Sequence, residues 1–165
     1  MKVNLIGKAN GWENAPQENA WGVHSVCLRR DVDMVFDMHK IYEEPLKSDP
    51  EQIAIIDYVN KNKVPLVTLK KLDYIPTSIE FPLDKMPLKY CECSIAYMIF
   101  YALLEGVTEI DMYGFLMADY DVYNKQLKSV EYWIGYARGK GIKVTIHEPT
   151  AICKGRQGLY GYEYQ

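Results

Sequence analysis

Apolar residues along this chain come in short runs broken by glycine, proline and charge. The spacing inside each run assigns it to a strand or a helix. Residues 3–6 read as a buried first strand, ending in the turn Gly7-Lys8-Ala9-Asn10-Gly11. Residues 20–26 and 33–38 are the second and third apolar segments, and residues 64–69 (VPLVTL) the fourth strand. Ahead of that strand, Ser48-Asp49-Pro50-Glu51-Gln52 has the marks of a helix start. Asp49 can cap, Pro50 suits the first helical position, and Gln52 can reach back in a capping box. Ile53, Ile56 and Val59 then share one helical face, and Asn62-Lys63 ends the helix. Residues 69–90 carry three of the eight prolines and little periodicity, which predicts a long ordered loop or lid.

The second half is more regular. Cys93 and Ser94 open a run that is apolar almost all round, which predicts a buried helix over 94–105 closed by Glu105-Gly106. The strand 109–113 follows at once and ends at Gly114. A helix over about 123–138, stopped by Gly139-Lys140-Gly141 as a left-handed cap, leads to a strand over 142–147 and an irregular tail. Strands alternating with helices predict one three-layer α/β domain over residues 1–165. Its sheet would be mostly parallel and doubly wound, with about six strands. In such a sheet, ligands sit outside the carboxyl ends of the strands. Free N–H groups at a helix start favour anions there.

Composition narrows the function classes. A formal charge of −3 argues against a partner such as the nucleic-acid backbone. Tyr101 and Glu105 interrupt the best apolar run below membrane-spanning length, and the opening MKVNLIGKANG reads as a buried strand and not a leader. The four cysteines form no CxxC pair, so free thiols in a reducing cytoplasm are expected. No metal site and no cofactor are expected. The 14 tyrosines, many in the last third, suit an aromatic-lined surface, a homo-oligomer contact or an edge packed without long aliphatics.

Ser94, Tyr97, Met98, Ala102, Gly106, Glu109, Ile110, Tyr113 and Gly114, preceded by a glycine turn after the first strand, form a recognisable series. It resembles the Rossmann-like core of bacterial CMP-sialic-acid-dependent sialyltransferases, and hydroxymethylpterin pyrophosphokinase-like domains are similar. Small bacteriophage and prophage proteins look like this chain over nearly its whole length, including GYARGKGIKV and LYGYE. The resemblance implies a nucleotide-binding fold in which Gly7, Lys8, Asn10 and Ser94 meet a phosphate or ribose. This chain departs from the transferases in two ways. Its turn is Gly7-Lys8-Ala9-Asn10-Gly11 in place of Gly-x-Gly-x-Ser, and no histidine occurs between His39 and His147.

The candidate residues follow from these placements. Gly7, Lys8 and Asn10 would wrap phosphate, the glycine admitting close backbone approach and Lys8 adding charge. Asp37 and His39 close the third strand on one face, about 6–7 Å apart along it, where they suit acid–base work or ribose binding. Trp21 is placed to stack on a base or to fill the core, and His24 shares its segment. Ser94 caps its helix or meets phosphate. Gly114 opens a loop whose Asp119, Tyr120 and Asp121 would meet a ribose, a metal or only solvent; Gln126, Glu131 and Arg138 recur on the helix beyond. The leading expectation is a binder of a nucleotide or nucleotide-derived phosphate ligand, such as a phage accessory protein capturing a host nucleotide signal. The alternative is a small transferase acting on a nucleotide-activated substrate, with His39 or Asp37 as base.

Overall fold

Val3 to Ile6 are all buried, so β1 (Lys2–Ile6) must be covered on both faces and both edges. It lies inside a seven-stranded sheet, between β2 (Ala20–Val23) and β6 (Glu109–Tyr113). Beyond β2 come β3 (Met34–Phe36), β4 (Leu66–Thr68) and β5 (Ser78–Glu80); beyond β6 lies β7 (Lys143–Ile146). The order is β5-β4-β3-β2-β1-β6-β7 and every pairing is parallel. The computed structural model describes residues 1–154, with Tyr120 and Asp121 described by backbone alone. The tail motif at 158–162 lies outside the described residues.

Alternation along the strands splits the core in two. Val3, Leu5, Trp21, Phe36, Val67, Ile110, Met112 and Val144 face α2 (Ser94–Leu104) and α3 (Tyr120–Gly139). Ile6, Ala20, Val35 and Leu66 face α1 (Pro50–Asn62) through Ile55 and Val59. The result is a doubly wound, Rossmann-like α/β arrangement of three layers. At β1 the strand order reverses, because the chain runs outward to β5 and then returns to the far side of β1 as β6. That reversal leaves a crevice at the carboxyl ends of β1 and β6.

Several local expectations are revised. The sheet has seven strands, since residues 69–90 contribute β5 and are not simply a loop. Their strand signal is only three residues long and includes the buried Ser78, whose hydroxyl accepts from Leu72 N at 2.9 Å and donates to Leu72 O at 3.1 Å. β2 stops at Val23, because His24 adopts φ 48° and starts a 3-10 helix through Leu28. α1 begins as its sequence requires, with Asp49 Oδ1 accepting from Gln52 N at 3.0 Å. The Gln52 side chain does not complete a capping box; both its polar atoms are buried without a hydrogen bond. α3 starts at Tyr120, three residues early, where Asp119 Oδ1 accepts from Val122 N at 3.3 Å. The apolar run before Gly106 ends at Leu104, and Gly106 takes φ 67°. No helix among the described residues is long and apolar enough to cross a membrane.

Candidate functional site

The ends of β1 and β6 approach so closely that neither can carry a side chain. Gly7 N donates to Tyr113 O at 2.8 Å and Ala9 N to Gly114 O at 2.9 Å, carrying the ladder past both strands. A Cβ on Gly7 would fall 2.3 Å from Gly114 O and 2.5 Å from the Phe115 ring. Gly114 sits at φ 70°, and a Cβ there would lie 2.7 Å from Ala9 O. The N–H groups of Gly7 and Ala9 are spent on β6, and that of Gly11 donates to Glu13 Oε2 at 3.0 Å. The two glycines fit the strand ends together and so shape the crevice.

Over that crevice opens a cavity of about 450 Å³, within the range of small-molecule sites. Of the expected residues, Gly7, Lys8, His24, His39, Ser94, Gly114 and Asp119 line it. Asp37 lies beneath, fully buried and touching both histidines. Two expected residues stand apart. Asn10 is exposed and off the cavity wall. Trp21 fills the core under α2, with ring centroids 5.6 Å from Phe36 and 5.8 Å from Tyr101. Arg138 is also elsewhere, donating to Val144 O at 3.0 Å, and Glu131 accepts from Cys153 N at 2.7 Å. None of residues 69–90 lines the cavity.

The start of α2 forms one wall of the cavity. Cys93 occupies the N-cap position and makes no side-chain hydrogen bond to the helix. Ser94, expected as the cap, is the first helical residue; its hydroxyl accepts from Met38 N at 3.4 Å and ties α2 to the end of β3. Ala96 N donates to Cys93 O at 3.1 Å, and Cys93, Ser94 and Ile95 at the start of this eleven-residue helix line the cavity, which puts the positive end of its dipole at the wall. Lys8 also lines the cavity, its carbonyl accepting from Arg29 Nη1 at 3.0 Å. Gln126, noted on the helix, also lies on the wall, as do Glu92 and Tyr123, which were missed as site residues. Tyr123 and Gln126 carried a signal, being three residues apart on the first turns of a helix that leaves the strand-end loop.

Asp37 and His39 meet directly, because the chain turns sharply after β3. Asp37 Oδ1 accepts from His39 N at 3.2 Å and lies 2.6 Å from His39 Nδ1. Asp37 Oδ2 is 3.7 Å from His24 Nε2, and His24 Nδ1 is 3.5 Å from Glu51 Oε2 in the first turn of α1. The two imidazoles stand edge to face at 5.4 Å. Their basicities are pushed apart. Burial lowers His24 against the pull of Asp37, whereas the Asp37 hydrogen bond raises His39 against burial. Two titratable rings divided by one buried carboxylate are an arrangement suited to a proton donor and acceptor, or to ligation.

Fold and site together define a Rossmann-like α/β protein with a ligand-sized cavity at its topological switch point. No family model, no curated protein and no solved structure matches this chain. Its functional reading therefore rests on geometry.

Proposed function

We propose that this protein binds a nucleotide or nucleotide-derived phosphate ligand at the carboxyl edge of its sheet. The observation that carries the reading is the convergence of the α2 N-terminus and Lys8 on one cavity at the switch point. The phosphate would lie against the α2 N–H groups and Lys8, and the remaining wall of Phe115, Met117 and Tyr123 would cover a base or sugar. Native mass spectrometry of the purified protein should reveal a retained nucleotide, and calorimetry with a panel of nucleotides and nucleotide sugars should identify its class. Lys8→Ala should weaken that ligand by about tenfold, the value of one charge-assisted contact. Absence of binding by any phosphate ligand at millimolar concentration would overturn the reading.

A second reading, transfer from a nucleotide-activated substrate, is favoured by the 2.6 Å contact between Asp37 and His39, whose ring is 55% exposed at the cavity. The buried carboxylate would orient His39 to take a proton from an acceptor hydroxyl. His39→Gln would then remove about a hundredfold or more of turnover and spare affinity. A simple binder turns over no nucleotide sugar, and the same substitution changes affinity alone.

A further inference from the structure

His24, Asp37 and His39 come from two chain segments that end side by side, the first residue after β2 and the turn after β3. One ligating atom from each lies within 4.8 Å of the others, the only such group among the described residues. The cluster is incomplete as it stands. Asp37 is fully buried, yet its Oδ2 makes no hydrogen bond, and neither does the buried Nδ1 of His24. His24 Nε2 stops 3.7 Å from Asp37 Oδ2, too far for a hydrogen bond. Two ligands of one tetrahedral ion, each about 2.1 Å from it, stand about 3.4 Å apart, close to that gap. His24 is also held at φ 48°, a conformation a non-glycine residue adopts at a cost and one that turns its ring toward Asp37.

We propose that His24, Asp37 and His39 bind a divalent transition-metal ion whose open coordination side faces the cavity. Two imidazoles and one carboxylate select a zinc-class or iron-class ion over magnesium or calcium, which prefer all-oxygen shells. Glu51, 3.5 Å from His24 Nδ1, is placed as the outer carboxylate that orients a ligating histidine. The ion would give buried Asp37 the partner its Oδ2 lacks and would present a free position to an oxygen of the bound ligand. The sequence spacing of 24, 37 and 39 matches no metal motif, because the fold and not the helix or strand period brings the three together. The inference uses the same cavity as the nucleotide reading but does not require the nucleotide. A ligated His39 has no proton to take, so this arrangement and the transferase reading with His39 as base exclude one another.

The test uses the full chain, stripped with a chelator, without nucleotide. Zn²⁺ is titrated by calorimetry and Co²⁺ by visible absorption. One ion per chain is expected, with cobalt bands of a low-symmetry nitrogen–oxygen site. His24→Ala and His39→Ala should each weaken binding at least about a hundredfold, more than loss of an outer-sphere partner usually costs. His39 is half-exposed, so its variant should keep the fold, checked by circular dichroism, whatever happens to variants of buried Asp37. His147→Ala, just past the far edge strand β7, should leave the metal unaffected. No saturable ion, binding indifferent to His24 and His39, or equal loss in His147→Ala would each overturn the proposal. Failure here leaves phosphate binding standing, and failure of phosphate binding leaves this result standing.

Discussion

Single residues set hard limits on this site. A side chain at Gly7 must displace either Gly114 O or the Phe115 ring, so Gly7→Val is expected to cost about 1–3 kcal/mol or more and to lose ligand affinity with it. Urea unfolding beside calorimetry checks this; intact stability with lost affinity would mean that Gly7 contacts the ligand after all. The thiols make a second residue-scale case. All four cysteines are free, and burial pushes the thiols of Cys27 and Cys91 up to about 12. Neither is a thiolate near neutral pH, so alkylation of the folded protein at about pH 8 should spare both, as read by mass spectrometry. Labelling of Cys27 ahead of the exposed Cys153 would mean that the 3-10 helix after β2 opens readily.

At the scale of elements, the β6–β7 side of the sheet carries a polar stripe whose charge can be tested. Burial disfavours the charge on Asp111, but Lys2 at 2.8 Å and His147 at 3.4 Å outweigh it and hold the carboxyl below its usual range. A depressed carboxyl pKa contributes stability above the unfolded-state value, and that contribution is lost as pH falls through the folded-state value. Stability should therefore drop on acidification below the ordinary aspartate range, and Asp111→Asn should be less stable at neutral pH with a flatter acid limb. Urea midpoints measured across that range check both parts; parallel curves for the two proteins would remove Asp111 from the account. The same scale decides what the sequence made legible. Long elements with strong punctuation, α1 behind Asp49-Pro50 and α2 before Gly106, were readable from that punctuation, although the α1 face was misplaced: Ile53 is exposed and Gln52, Ile55 and Val59 are the buried positions. β5 was not, because its three residues owe their pairing to register with β4 and not to their own pattern. His24 appeared to prolong β2, since a left-handed φ at a histidine leaves no mark in the sequence. Asp37 and His39 were legible as neighbours on a strand end, but their direct contact depends on the turn that follows Phe36.

For the whole molecule, the decisive feature is that one crevice gathers segments distant in sequence: the end of β1, the turn after β3, the start of α2 and the loop after β6. A ligand held there bridges elements on both sides of β1, so binding must stabilise the fold as a unit. At about a hundred times the dissociation constant, one site adds about 2.7 kcal/mol. In a domain of this size that corresponds to a rise in Tm of about 5–10 °C. Lys8 is exposed and lies outside the core, so Lys8→Ala should leave the Tm of the unliganded protein within about 1–2 °C of wild type. At a ligand concentration fixed from the wild-type value, the variant binds about tenfold more weakly, and about half of the stabilisation should disappear. Calorimetric scans of both proteins with and without ligand separate the outcomes. A ligand-dependent rise that is equal in both would place the phosphate away from Lys8 and leave the α2 N-terminus to hold it unaided. A variant that is itself several degrees less stable would make Lys8 part of the strand-end packing that Gly7 and Gly114 define.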